Sequence, residues 1–168
     1  MIRFTGPAMA PTINRESAKS KDAFEFLLVR QLPDPTEANV AKGDVVCLKH
    51  PIGIQPSSLL VRRVTACGGE FLTSKDSEYQ LANDVVWVEA DNTDLEPPHV
   101  EDSRTFGPVP LANVLGRCIY AFASSMDQGH ITNSERMRDG DASVVEFELT
   151  EELKKELEEC KSALQRSS

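Results

Sequence analysis

Four short and well-separated groups of residues could take part in chemistry in this 168-residue chain. The first reads GPAMAPT over residues 6–12, where two prolines, a glycine and a threonine surround Ala8-Met9. Such a setting restricts the backbone and would hold one side chain in a fixed place. The side chain at its centre is nevertheless a methyl group, which has no acid–base or nucleophilic chemistry. The motif therefore predicts a structured site that lacks a reactive group.

The other three groups supply charged and polar side chains. Gly43-Asp44 opens an apolar run, and Arg62-Arg63-Val64 precedes the sequence GGE. The last group starts with Ala90-Asp91-Asn92 and resumes with Asp102-Ser103-Arg104, which ends in TFGPV.

In this order and spacing the four groups resemble the motifs of the type I signal peptidase family, and especially those of the mitochondrial inner membrane peptidase subunits. The resemblance covers residues 4–122, and DSRTFGPV over residues 102–109 is its most specific part. It implies a serine protease mechanism in which a desolvated lysine accepts the proton of the nucleophilic serine.

The chain departs from this family at both catalytic positions. Ala8 stands where the resemblance places the serine, and Arg62 where it places the general-base lysine; Ala90 also replaces a glycine. Arginine stays protonated in proteins and cannot act as that base. The resemblance, with its peptidase-like variants in plants and algae, thus implies a catalytically inactive structural or binding subunit of a larger mitochondrial assembly.

The resemblance assigns structural roles to the other motif residues. It implies a charge-assisted pair between Arg63 and Asp102 that ties two strands together, with a weak surface ion pair as the alternative. Gly43 and Gly107-Pro108 are expected to meet backbone requirements. The remaining residues of this structural group are Met9, Pro11, Thr12, Asp91, Asn92, Ser103 and Arg104.

Two other functions stay open. An active serine-type endopeptidase that processes presequences would need a mutated site or a relocated dyad. The hydroxyls for such a dyad are Thr5, Thr12 and Ser103, and the nearest lysines are Lys42 and Lys49. A presequence-binding module that does not cleave would retain only the peptide groove of the family.

Composition limits the partners and cofactors. The net charge of −9 argues against nucleic acid as the main ligand, because phosphate recognition needs clustered basic residues. The four cysteines form no CxxC pair, and the three histidines are scattered near proline or glycine, so we expect no disulfide framework, metal or cofactor. Protein subunits, and a presequence peptide as a further candidate, are the expected partners.

The location follows from the resemblance and from the absence of membrane signals. No segment has the apolar length of a membrane span, and neither a secretory signal nor a convincing transit peptide begins the chain. We therefore expect a mitochondrial protein that reaches the inner membrane only through its partners, with the plastid as the alternative.

Short apolar runs separated by Gly, Pro, Asn and Asp predict a mainly β fold. We expect residues 1–122 to form a small antiparallel sheet or partly open barrel, with Ala8 facing Arg62 across the former active site. Residues 91–108 are a predicted polar loop and residues 123–142 a predicted linker. Residues 143–168 are expected to form a last strand over Val144–Leu149, followed by an amphipathic helix.

The C-terminal helix has a narrow apolar stripe. Thr150 is its predicted N-cap, followed by two acids that suit the helix dipole. The stripe either packs on the chain's own sheet or docks into a groove of a partner. In the second case the partner-binding residues are Leu153, Leu157 and Leu164, beside an acidic face that favours a basic partner rim.

Overall fold

The chain is described by a computed structural model that covers residues 1–166 apart from 19, 21, 53–58 and 75–76. More of this part of the chain lies in β-strands than in helices. The strands are β1 (Ile2–Thr5), β2 (Phe24–Gln31), β3 (Val45–Lys49), β4 (Leu59–Cys67), β5 (Phe71–Ser74), β6 (Ser77–Gln80), β7 (Val85–Glu89), β8 (Val109–Pro110), β9 (Val114–Ser124) and β10 (Asp127–His130). The helices are α1 (Ser103–Phe106), α2 (Glu135–Glu148) and α3 (Glu151–Arg166).

Eight of these strands form one antiparallel sheet in the order β1-β2-β9-β3-β4-β7-β8, with β10 paired to β9. The remaining strands, β5 and β6, form a separate hairpin. The sheet does not close on itself, because β1 and β8 lie at opposite ends of the order. The predicted mainly β fold, with a partly open antiparallel sheet and a C-terminal helix, is confirmed.

The core lies on both faces of the sheet. Strand β3 shows this most clearly, because Val46 and Leu48 pack into one apolar cluster while Val45 and Cys47 pack into another. Successive side chains of a strand point to opposite faces, so a strand with four buried residues in a row must be covered on both sides. The first cluster also receives residues of β4, β7 and β9, and the second receives Met9 from the GPAMAPT motif.

The predictions for residues 123–149 are wrong in their secondary structure. The predicted linker contains the end of β9, all of β10 and the start of α2, and the predicted strand over Val144–Leu149 lies at the end of α2. Val145 and Leu149 are four residues apart and pack on Ile119 and Tyr120 of β9. Tertiary packing at helical spacing therefore overrides the β propensity of the valines.

Helix α3 begins where it was predicted to begin. The backbone N–H of Leu153 donates to Oγ1 of Thr150 at 3.2 Å, which is the expected N-cap interaction. Leu153 packs against the cluster of β9 and α2, and Leu157 is buried, whereas Leu164 is exposed. The first half of the stripe thus packs on the chain itself, and docking of Leu153, Leu157 and Leu164 into a partner stays a prediction.

A buried charge network joins α2 to the centre of the sheet. Arg117 of β9 is 2% exposed, and it donates from Nε and Nη2 to the two carboxylate oxygens of Asp141 at 2.6 and 2.7 Å. Arg30 also donates to Asp141, and Asp44 lies 3.6 Å from Nη1 of Arg117. Burial alone would lower the pKa of Arg117, but the hydrogen bonds and charge of Asp141 reverse this effect and raise it. Helix α2 therefore supplies the main counter-charge of a core arginine.

Removal of this carboxylate should destabilise the fold strongly. We expect Asp141→Asn to lower the free energy of unfolding by about 3 to 5 kcal/mol, because Arg117 then keeps a buried charge without its bidentate partner. Asp139→Asn is the matched control, since Asp139 is an exposed acid on the same helix. Urea unfolding of both variants measures the difference, and equal stabilities would show that the network contributes nothing.

Candidate functional site

The GPAMAPT motif forms a compact loop directly after β1. The backbone N–H of Ala10 donates to the carbonyl of Pro7, and that of Ile13 donates to the carbonyl of Met9. Met9 is fully buried in the second apolar cluster, whereas Pro11 and Thr12 are exposed. Met9 therefore anchors the loop and leaves the partly exposed Ala8 at its surface.

Asn14 fixes the same loop, although the sequence motif did not point to it. It is almost fully buried, and its Nδ2 donates to the carbonyls of Gly6 and Ala23 at 3.0 Å each. One side chain thus ties the start of the loop to the start of β2. The sequence offers only a weak signal from which the role of Asn14 could have been predicted. Asn14 has a φ of 55°, a conformation that asparagine tolerates better than most residues do.

Asn92 holds the loop from its other side. Its backbone N–H donates to the carbonyl of Ala8 at 3.1 Å, and its Nδ2 donates to the carbonyl of Pro7 at 3.0 Å. The first and last motif groups, more than eighty residues apart in sequence, therefore meet in space. Asn92 therefore links these two motif groups, and the structural role that the resemblance gives it stays a prediction.

Arg63 pairs with Asp91, so the expected pairing of Arg63 with Asp102 is wrong. Nε and Nη2 of Arg63 donate to the two carboxylate oxygens of Asp91 at 2.8 and 2.7 Å. The same guanidinium donates from Nη1 to the carbonyls of Gly43 and Thr132. Arg63 therefore joins the second, third and fourth motif groups, and this arrangement requires the φ of +97° that Gly43 adopts.

Asp102 pairs instead with Arg104, its neighbour two residues along the chain. Its carboxylate caps α1 by accepting from the backbone N–H of Arg104, and it also accepts from the Arg104 guanidinium at 2.7 Å. The backbone N–H of Ala90 is a further donor to this carboxylate. Gly107 caps the end of α1: its N–H donates to the carbonyl of Ser103, and its φ of +83° is a conformation that favours glycine.

These contacts set the ionisation of Asp102. Burial by itself raises the pKa of this carboxyl, but the hydrogen bonds from Arg104 and Ala90 outweigh burial and hold the pKa below its ordinary value. Ser103 is also buried, and its Oγ accepts from the backbone N–H of Val88. Both side chains thus fasten α1 to the end of β7.

Arg62 lies beside this cluster and is 5% exposed. Its Nε donates to the carbonyl of Glu101 at 2.9 Å and its Nη1 to the carbonyl of Val61 at 2.7 Å. Burial lowers the pKa of Arg62, and the nearby carboxylate of Asp102 opposes that shift. That Ala8 and Arg62 face one another stays a prediction.

Comparison with the sequences of known proteins shows the family to which this chain belongs. The chain is similar to subunit 2 of the mitochondrial ATP-independent inner membrane protease of Arabidopsis thaliana, with 34% identity over 147 residues, which are 86% of this chain and 67% of that protein. The chain belongs to the family of mitochondrial inner membrane protease subunits. No protein-family model matches it.

More distant members of the inner membrane protease family show the same likeness. Subunit 1 of Homo sapiens is 28% identical over 140 residues, which are 80% of this chain and 75% of that protein. Subunit 2 of Saccharomyces cerevisiae is 26% identical over 118 residues, which are 68% of this chain and 62% of that protein. The names of these relatives confirm the expected mitochondrial, inner-membrane-associated location.

Membrane-spanning helices and metal-binding clusters are absent from the described residues of this family member. In the part of the chain that the structure describes, no helix is long and apolar enough to cross a membrane. The four cysteines are free thiols. Within residues 1–166 outside the four gaps, no three His, Cys, Asp or Glu side chains come together in a group that could hold a metal ion.

The depressed pKa of Asp102 gives a pH-dependent prediction for this family member. Its ionised form contributes stability that is fully present above the ordinary aspartate value of about 3.9 and is lost as the pH falls through the lower folded value. We expect Asp102→Asn to lower the free energy of unfolding by about 2 kcal/mol at pH 7. The difference in free energy of unfolding between this variant and the unmodified chain should shrink below about pH 4.

Urea unfolding at a series of pH values measures this gap. Asp94→Asn is the control, because Asp94 lies exposed in the same loop. The free energy of unfolding of this control should stay close to that of the unmodified chain at every pH. A gap for Asp102→Asn that widened towards acid pH would contradict the assigned direction of the pKa shift.

Proposed function

We propose that this chain is a catalytically inactive member of its family and serves as a structural or binding subunit of a larger mitochondrial assembly. One observation carries the proposal: alanine occupies position 8, and a buried arginine bound by two backbone carbonyls occupies position 62. By the family resemblance, these are the positions of the nucleophile and of the general base.

The chemistry of the two positions supports the loss of activity. Attack on a peptide carbonyl needs a nucleophilic atom, and the methyl group of Ala8 has none. A general base must release and accept a proton near neutral pH, whereas a guanidinium stays protonated even where burial lowers its pKa. Nε and Nη1 of Arg62 also donate to the carbonyls of Glu101 and Val61, as a protonated guanidinium does, and such a cation has no lone pair that could accept a proton.

A relocated Ser/Thr–Lys dyad finds no support among the candidates named above. Thr5 and Thr12 are exposed, and the Oγ of Ser103 is occupied by the N–H of Val88. Lys42 and Lys49 are exposed as well. An exposed lysine lacks the desolvation that would make it a neutral base near pH 7.

The preserved framework supports a binding role. Arg63, Asp91 and Asn92 hold the motif loop in place although its reactive groups are gone. The relatives are named as subunits of a protease, which favours a protein assembly as the setting of this chain as well.

A presequence-binding module that does not cleave is the second candidate function. Strand β1 pairs with β2 alone and lies at the end of the described sheet order. An edge strand can accept an extended peptide as a further strand. This candidate and the subunit role are compatible, since both require the site to be folded but unreactive.

Cleavage assays with presequence peptides test the proposal. We expect no cleavage by the unmodified chain and none by Ala8→Ser, because the restored hydroxyl would still lack a base. The double variant Ala8→Ser with Arg62→Lys should recover at most a trace of activity, if the lysine is desolvated enough to become neutral.

Ala8→Gly is a matched control that alters the same position without adding a nucleophile. An active family member, assayed in parallel, shows that the peptides can be cut. Cleavage by the unmodified chain that a serine-directed inhibitor abolishes would overturn the proposal.

A further inference from the structure

We propose that the free edge of strand β5 is a self-association surface, on which a second copy of this chain pairs its own β5 in antiparallel orientation. The inference goes beyond the proposed function, because it concerns the β5–β6 hairpin and is independent of whether the chain cleaves peptides. It is carried by the isolation of this hairpin, by the direction of its backbone groups and by the side chains that the pairing brings together.

The β5–β6 hairpin is separate from the main sheet. Its strands pair with each other, and in the described part of the chain neither of them pairs with a third strand. Phe71 is 60% exposed and Tyr79 is 52% exposed, and the two side chains lie on opposite faces of the hairpin. A two-stranded ribbon is at most marginally stable in water unless further strands or a packed face support it. The hairpin therefore presents open backbone edges together with uncovered apolar side chains.

The register of the hairpin decides which backbone groups of β5 point outwards. The N–H of Leu81 donates to the carbonyl of Glu70 at 2.9 Å, so the backbone groups of Glu70 face β6. This direction alternates along a strand, so Leu72 also faces β6, whereas Phe71 and Thr73 direct their N–H and carbonyl groups to the free edge. These two residues supply four hydrogen-bonding groups that no other strand of the described chain pairs with.

One antiparallel register uses all four of these groups. Phe71 of each copy lies opposite Thr73 of the other, and each such pair exchanges two hydrogen bonds. A two-fold axis then passes between the two copies of Leu72, so the same surface binds itself, as in most symmetric dimers. A shift by one residue places outward-facing groups against inward-facing ones. A shift by two leaves one outward-facing residue of each strand opposite a residue beyond the strand.

The same register brings apolar side chains together on one face. Leu72 and Tyr79 are direct partners within the hairpin, and pairing through β5 places Leu72 beside Leu72 of the second copy. The side chains of Tyr79 and Leu72 from both copies then form one row across a four-stranded sheet. Direct cross-strand apolar neighbours stabilise a sheet, and the additional strands give the hairpin the support that it lacks alone.

The distribution of charge favours β5 over β6 as the pairing edge. Strand β5 contains no charged residue, whereas the outward-facing residues of β6 are Glu78 and Gln80, and a charged edge residue opposes further pairing. Glu70, which precedes β5, accepts the N–H of Cys67 at 2.6 Å and is thus held by its own turn. In the proposed sheet the two copies of Glu78 are at least three strand spacings apart, about 14 Å, which exceeds the Debye length of about 8 Å at physiological salt. Their repulsion is therefore largely screened.

Sedimentation velocity of the full chain over a concentration series tests the inference. We expect monomers at low micromolar concentration and a growing fraction of dimer at higher concentration, because the paired surface is smaller than that of a stable dimer. Thr73→Pro should raise the dissociation constant at least about tenfold, since the dimer loses two hydrogen bonds while no bond to β6 is lost.

Glu78→Pro is the matched control for Thr73→Pro. It removes an outward-facing N–H from the other edge of the same hairpin, so it should leave the dissociation constant unchanged. Circular dichroism of both variants checks that the sheet is folded.

Disulfide cross-linking locates the interface between the copies. Partners that share no hydrogen bond in an antiparallel pair lie about 4.5 Å apart at Cα, which a disulfide can span. Leu72→Cys should therefore form a covalent dimer under mild oxidation, in a Cys160→Ser background that removes the exposed thiol. Tyr79→Cys in the same background is the control, because its two copies would lie about 14 Å apart and should not cross-link.

Three outcomes would overturn the inference. A chain that stays monomeric throughout the series leaves the edge of β5 to a partner of another kind. A dimer that Thr73→Pro does not weaken, or that Glu78→Pro weakens equally, is held by another surface. Cross-linking of Tyr79→Cys as efficient as that of Leu72→Cys would show that β5 is not at the interface. The first outcome requires no variant to fold, and none of the three bears on the proposed lack of cleavage.

Discussion

The guanidinium of Arg117 is the group on which the rest of the structure depends. It lies at the centre of the sheet on β9, and it is satisfied by Asp141 of α2, by the charge of Asp44 and by the carbonyl of Asn39. A buried arginine is tolerated only where partners from several elements converge on it. Helix α2 is therefore joined to the sheet by this pairing as well as by its apolar packing on β9.

A second set of contacts fixes the geometry of the motif loop and its surroundings. The loop around Ala8 is held by Asn14, Asn92 and the buried Met9, and β4 is held to the segment after β7 by the pair of Arg63 and Asp91. None of these contacts uses the side chain at position 8. The side chain at position 8 can therefore vary at little cost to the fold, because other residues hold the loop.

The two neighbouring arginines of β4, Arg62 and Arg63, differ in the partners that bind their guanidiniums. Arg63 is satisfied by a carboxylate and two carbonyls, and it acts as a structural link. Arg62 is satisfied only in part, by two carbonyls. Adjacent residues of a strand point to opposite faces, so the two guanidiniums meet different surroundings. Arg63 therefore links three motif groups through a carboxylate and two carbonyls, whereas Arg62 is held by backbone carbonyls and by the charges of Asp102 and Glu101.

The sequence by itself determined the β class, the motif groups and the family, because strand periodicity, turn residues and ordered motifs are local and readable along the chain. The N-cap Thr150 is equally local, and it was predicted correctly. Only the tertiary structure decided that Arg63 pairs with Asp91, that α2 replaces the strand expected at Val145, and that Leu157 is buried within the chain. These outcomes depend on which distant groups come within reach once the sheet has formed, and neither propensity nor spacing encodes that proximity.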